Sequence, residues 1–480
     1  MLCGRSPSSQ LRVLSLLLSA ALLFAQAPPA GNKELHEIDR YIQGEIKLNQ
    51  IPGLSMAIVR GRVVLGTRAY GVRSLATGEP MTVDTPMELA SLSKPFTALA
   101  VLQLAKTGWL DLDRPVRLYL PEFCPRENEP CAQITARHLL RHTSGFRRRD
   151  NFLVPCCGQP GEYDLSLAVR NLRALRLIGR PGSFFWYANN NYVLLAALVE
   201  RLSGEAFPDY MRTRIFLPLG MTRTTLDYAQ ARTWGLAVAH ERQWGQMRPS
   251  PSRFFGSYGA SLVKSTAGDM ARFLAAVLSG TVDGFGPATS LTPPYDLGWF
   301  VTPRADWLNG SLVLAHAGDV WGGNTAAMIA PERELGVVVL VNAGVGRAEE
   351  IGRGVMARTA GLRGADPGVA SRVNDPDFWA ICFTFLSALV LLGVAIYAAR
   401  IRSEFRLGKR RFVRRRGGWI LARRIVLLAM GFGLLFLGAG VGGPPAASLP
   451  TTMRLALPFL AGSFAVVLTM AAVLSFAPRT

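Results

Sequence analysis

No C-x-x-C pair occurs in the sequence, and histidine is reduced to five positions. Both shortages work against a zinc or iron–sulfur centre, which draws its ligands from such spacings. His138 and His142 stand four apart, a spacing able to hold zinc on a helix, but no third ligand accompanies them, and no metal or cofactor is expected. No segment repeats another, which removes solenoids and propellers. Acidic residues are scarce too, 33 against 53 Lys and Arg. That surplus of positive charge raises the question of nucleic acid, and its distribution answers it.

Eleven Lys or Arg and a single acid, Glu404, fall between Arg400 and Arg424. On either side lie long uncharged apolar runs: Phe378 to Ala399, then Ile425 to Gly443 and Leu455 to Ala477. Each has about the ~20 residues that a helix needs to cross a bilayer. The sequence therefore predicts three transmembrane helices, with Gly438 and Gly442 spaced for close helix contact. A basic loop between two spans is the mark of the cytoplasmic side, so its charge reports topology and not an affinity for nucleic acid. At the other end, Arg5 and Arg12 precede the apolar stretch Val13 to Phe24 and the small-residue exit Ala25-Gln26-Ala27. This is the layout of a secretory signal peptide over residues 1–27. Two independent signals thus put residues 28–377 outside the membrane, in a multi-pass protein of the cell membrane. That segment carries only a mild positive excess, 38 bases against 32 acids.

Of the six cysteines, Cys3 leaves with the signal peptide and Cys382 sits in the first span. Cys124, Cys131, Cys156 and Cys157 remain together in the exported segment, where the compartment favours disulfides. Three pairings are open; Cys124 with Cys131 closes a short loop and is the first expectation.

Residues 33–50 have the pattern of an amphipathic helix. "LSMAIVRGRVVLGTRAYGV" reads as two strands about a turn at Arg60-Gly61-Arg62. A helix follows Ser91 and ends near Gly108, and residues 112–280 are mostly helical patterns broken by Pro and Gly. "LGWFV", "LVLAHAG", "TAAMIA" and "GVVVLVN" read as an antiparallel meander, and a helix at 347–361 closes the domain. Strands at both ends with helices between them predict one α+β domain over residues 28–365, its antiparallel sheet built from the two ends of the segment. Residues 366–377 form a linker to the membrane.

The chemistry begins at "ELASLSKPFTALAVLQLAK", where Ser91 and Lys94 stand three apart at a helix start and so share a face. A serine hydroxyl needs a base or a nearby cation to become a nucleophile, and a lysine withdrawn from water supplies either. The helix start adds free N–H groups for a developing oxyanion. By itself this pair also fits an ordinary surface helix. Tyr187, in the aromatic run Phe184 to Tyr192, and His316, on a strand, would each by themselves read as structural.

Together they read otherwise. Ser91-x-x-Lys94, then Tyr187-Ala188-Asn189, then His316-Ala317-Gly318, together with "ITARHLLRHTSGF" and "STAGDMARFLAAVLSG", resemble in order and spacing the serine hydrolases related to class C β-lactamases and penicillin-binding D,D-peptidases. The resemblance spans about residues 34–360. It implies a β-lactamase/transpeptidase-like α+β fold, an antiparallel sheet flanked by helices plus a mostly helical subdomain. It implies that Ser91 takes the acyl group, that Lys94 shares its proton network, and that Tyr187 serves as general base with its phenolate favoured by Lys94. Asn189 would hold the substrate amide, His316 to Gly318 would line the opposite wall, and the N–H groups of Ser91 and Asp319 would form the oxyanion hole.

His316 stands where β-lactamases carry a lysine. A partly charged histidine suits a substrate carboxylate less well than a fixed cation does. Asp319, directly after Gly318, adds negative charge near the mouth. The expected substrate is an ester or a D-amino-acid amide or peptide, including cell-wall-derived ones. The alternatives are a β-lactamase or D,D-carboxypeptidase, a catalytically weak relative that binds cell-wall peptides, and a sensor or transporter. Few intramembrane polar groups make the last a poor transport path.

Overall fold

A computed structural model describes residues 32–124, 130–147, 164–172, 175–250, 256–282, 291–368 and 376–409. The signal-peptide region, Cys156, Cys157 and the two apolar runs after residue 424 lie outside these residues. The chain divides into two compact units, residues 1–239 with 255–369, and residues 240–254 with 370–480.

In the first unit, helix α1 (Asn32–Asn49) leads into strands β1 (Gly53–Arg60) and β2 (Val63–Gly71), and Gly61 at the tip takes a left-handed φ of +53°. The other sheet strands come from the far end of the unit. They are β3 (Tyr295–Asp296), β4 (Trp299–Ala305), β5 (Ser311–Val320), β6 (Gly323–Ala330) and β7 (Leu335–Val341). The seven strands are all antiparallel, in the order β2-β1-β7-β6-β5-β4-β3. The seam between the two ends is β1 on β7, in register from Leu54 opposite Val341 to Arg60 opposite Leu335. The predicted closure of the sheet across the whole segment is thus present.

The strand β7, Leu-Gly-Val-Val-Val-Leu-Val, is buried at every position, as a strand covered on both faces must be. Alternation along it assigns the two faces. A side chain at Gly336 would strike Leu274 and Leu278 of helix α6 (Ala267–Leu278), while Val339, an odd number of residues on, faces Gly352 of helix α7 (Ala348–Thr359). One helix therefore covers each face, and α1 packs outside α7.

Helices α2 (Lys94–Lys106), α3 (Ala136–Leu140), α4 (Leu165–Leu172) and α5 (Asn189–Ser203) build the helical part beside the sheet. The helix α2 has no polar stripe over its first two turns; Lys94 to Val101 are all buried, which makes it a core helix. Phe96 anchors it, its ring 4.3 Å from Phe273 of α6 and 5.6 Å from Phe216. Cys124 and Cys131 are disulfide-bonded.

In the second unit, His240–Gln243 and Gln246–Pro249 pair as a small hairpin. Helix α8 (Pro376–Arg406) follows the linker. Its 29 residues from Phe378 are long and apolar enough to cross a membrane. Phe385, Leu386, Leu389, Leu392 and Ile396 of α8 are all exposed. Of the three predicted spans, the first is the one that falls within the described residues.

Candidate active site

Ser91 occupies a 3-10 turn, Ala90–Ser93, and the helix expected to follow it, α2, begins at Lys94. The turn is entered through Ala90 at φ +49°, a left-handed conformation that costs a non-glycine residue free energy. Neighbouring strands hold it there. Leu89 donates its N–H to the Val263 carbonyl at 2.9 Å and accepts from Thr325 Oγ1 of β6 at 3.0 Å. Strand β5 presses against the same residue, and Gly318 is what lets it do so: a Cβ there would lie 2.0 Å from the Leu89 carbonyl oxygen.

Lys94, the first residue of α2, is fully buried. Its Nζ donates to Ser91 Oγ at 3.1 Å and to the Ala260 carbonyl at 3.0 Å. That carbonyl is delivered by Gly259, at φ +78°, where a Cβ would lie 2.1 Å from the Tyr192 carbonyl oxygen. Burial pushes the Lys94 amine well below the ordinary lysine range. The Nζ lies over the ring of Tyr187, 4.8 Å from its centroid. So Ser91, Lys94 and Tyr187, separated by up to 96 positions in sequence, meet in one place.

Tyr187 is half-buried in an aromatic enclosure. Its centroid is 4.3 Å from His142, 6.0 Å from Tyr295 and Phe300, and 6.2 Å from His316. Asn189 opens α5 two residues later and is also half-buried.

His316 departs from the sequence expectation of partial charge. It is 2% exposed, and Tyr295 Oη donates to its Nε2 at 3.1 Å while its Nδ1 reaches the Ala317 carbonyl at 2.6 Å. Burial, reinforced by the nearby Lys94, lowers its pKa to about 3. It is a neutral imidazole at neutral pH. Asp319, at the end of β5, is exposed, and its carboxylate accepts from the Asn324 amide.

His138 and His142 do not share a helix face. His138 lies in α3, its Nδ1 accepting the Thr135 N–H at 3.2 Å in a capping box. His142 lies beyond the helix end at φ +54°. Among the described residues no cluster of three or more His, Cys, Asp or Glu is gathered. The sequence reading did not single out Ala260, Tyr295 or Phe300. A backbone carbonyl leaves no mark in sequence, and the two aromatics become part of the site only through the pairing of β3 with β4.

The beta-lactamase family profile matches residues 38–360. The chain belongs to the beta-lactamase family. Its members are serine hydrolases, and this one matches over the segment that carries Ser91, Lys94, Tyr187 and His316. Among curated proteins it is similar to Protein flp of Staphylococcus aureus strain MW2, 26% identical over 325 residues, 65% of this chain and 64% of the relative. The chain therefore spans just under two thirds of that relative's length. A penicillin-binding protein of Bacillus subtilis strain 168 is 33% identical over 184 residues, 37% of this chain and 38% of its own. Among solved structures, an octameric penicillin-binding protein homologue from Pyrococcus abyssi aligns over 73% of this chain and 81% of its own with a TM-score of 0.60 at 22% identity. The D-alanine carboxypeptidase AmpC from Burkholderia cenocepacia aligns over 69% of this chain and all of its own, TM-score 0.56 at 24% identity. The hydrolase EstCE1, which has promiscuous acyltransferase activity, aligns over 67% of this chain and 98% of its own, TM-score 0.57 at 22% identity. These likenesses show the beta-lactamase fold.

Proposed function

We propose that this protein is a membrane-anchored, extracytoplasmic serine hydrolase that works through an acyl-enzyme on an uncharged ester or D-amino-acid amide. The observation that carries the reading is the buried Lys94 amine 3.1 Å from Ser91 Oγ. Because burial favours the neutral amine, the same contact can reverse, with the Ser91 hydroxyl donating to a lone pair on Nζ. Ser91 Oγ attacks the substrate carbonyl carbon as its proton passes to the Lys94–Tyr187 unit. The oxyanion is met by the N–H groups of Ser91 and Asp319. The proton then goes to the departing alcohol or amine, and the acyl group stays on Ser91. Water, deprotonated by the same pair, attacks the ester, and Ser91 recovers its proton as the acid leaves. Asn189 orients the substrate amide, and His316 to Gly318 form the facing wall.

The state of His316 supports an uncharged substrate. Burial, reinforced by Lys94, holds its pKa down to about 3, so at neutral pH it offers a bound carboxylate no positive charge. Asp319, exposed at the end of the same strand, repels an anion further.

A second reading, a D,D-carboxypeptidase or β-lactamase, is favoured by the likeness to the Burkholderia D-alanine carboxypeptidase. The purified full-length protein separates the two when offered a neutral aryl ester, a D-alanyl-D-alanine peptide and a penicillin. The proposal expects turnover of the ester with slow or no turnover of the two carboxylates. Faster turnover of either carboxylate substrate selects the second reading. Failure on all three returns the chain to the binding relatives.

A further inference from the structure

We propose that His142 is a positioning residue for the proposed base Tyr187, acting as a neutral hydrogen-bond acceptor that fixes the backbone on both sides of the tyrosine. The inference rests on the reading of Tyr187 given above and extends it to a residue that makes no contact with substrate in that scheme.

The residues before and after Tyr187 both donate their N–H groups to His142. Trp186 donates to the His142 carbonyl at 2.8 Å, and Ala188 donates to the His142 Nδ1 at 3.2 Å. The two bonds bracket Tyr187, and the imidazole itself packs 4.3 Å from the tyrosine ring between centroids. The ring orientation is fixed in turn. Asn191 Nδ2, in the first turn of α5, donates to the same Nδ1 at 2.8 Å, while Ser144 Oγ donates to the Asn191 Oδ1 at 2.5 Å. An Nδ1 that accepts two bonds carries no proton, so the ring's hydrogen is on Nε2. That nitrogen is buried without a hydrogen-bond partner, and the rings of Tyr187, Tyr192 and Tyr295 pack around the imidazole.

The backbone carries a matching signal. His142 sits at φ +54°, a region that asparagine, aspartate and histidine tolerate better than other residues. A left-handed residue at the edge of a site is strain held in place by its surroundings. Protonation would convert Nδ1 into a donor facing two donors, and burial beside Lys94 and His316 opposes it. The imidazole is thus locked as an acceptor.

Substitution provides a graded test on the full-length protein with an activated ester, at the level of acylation rate. His142→Ala removes the Nδ1 acceptor but keeps the carbonyl bond to Trp186. His142→Asn places an amide oxygen near the Nδ1 position and tolerates the left-handed backbone. The proposal expects His142→Ala to lose up to about 10²-fold in kcat with KM little changed, the scale of a misplaced catalytic group. It expects His142→Asn to recover most of that loss. In a Tyr187→Phe background, His142→Ala should cost no more than roughly threefold, because its effect passes through the tyrosine. Equal losses for Ala and Asn, or a full additional loss in the Tyr187→Phe background, would overturn the positioning role. If Tyr187→Phe alone leaves acylation unchanged, it is the assignment of Tyr187 that fails, and the two failures are told apart.

Discussion

At the scale of single residues, the site is built from ionisable groups that burial biases toward their uncharged forms. Lys94, His142 and His316 are all pushed below their ordinary ranges, and desolvation is the first cause for each. For His316 the consequence for stability has a definite sign. Unfolded, it titrates near 6.5; folded, near 3. Between those values the unfolded chain takes up a proton that the folded chain does not, so stability is intact above pH 6.5 and falls as pH drops toward 3. His142 contributes in the same direction. His316 adds a slope of about 1.4 kcal/mol per pH unit in that window. Replacing His316 by Gln removes one proton's share of the slope. Denaturant unfolding between pH 7 and pH 4 should show a shallower decline for the variant, and an unchanged decline would place His316 in a more solvated setting. The sequence named His316 from its motif and read it as partly charged; the burial and the nearness of Lys94 that make it neutral come from the folded chain and have no local sequence signature.

At the scale of elements, α2 joins stability and chemistry. Its first residue is Lys94, and its third, Phe96, is wholly buried against Phe273 and Phe216. Truncating Phe96 to Ala should cost about 3–5 kcal/mol, the usual range for a buried aromatic, and lower the urea midpoint accordingly. A loss under about 1 kcal/mol would mean that the core closes around the gap or that the ring is not packed as described. The strands and α2 were legible in the sequence because their signals are local: the β-rich runs about the Arg60-Gly61-Arg62 turn of β1 and β2, the Val-rich run of β7, the apolar run after Ser91. The 3-10 turn at Ser91 was not. It is imposed from outside, by Gly318 and Thr325 on strands more than two hundred residues away, and Ala90 has no intrinsic preference for the left-handed conformation that it adopts. The end of α3 before His142 was missed for the same reason; Leu140 to His142 reads as a continuing helix until its partners at residues 186–191 are known.

For the whole molecule, the beta-lactamase fold and a helix long and apolar enough to span a membrane pose a question of orientation on which the charge pattern bears. Helix α8 is long and apolar enough to span, and the basic stretch begins at its end, at Arg400. Positive residues beside a span stay on the cytoplasmic side. The catalytic fold, on the other end of α8, is therefore proposed to face outward, consistent with the disulfide between Cys124 and Cys131. Protease added to intact spheroplasts should cleave within residues 28–377 and spare the 400–424 loop; cleavage of the loop alone would reverse the topology. The central claim, that Ser91 is the acylated nucleophile, is tested most directly by peptide-level mass spectrometry of the full-length protein treated with a fluorophosphonate. The account predicts one adduct, on the peptide that contains Ser91, and its complete loss in Ser91→Ala with the thermal midpoint unchanged. An adduct on another serine, or one that persists in Ser91→Ala, would contradict it.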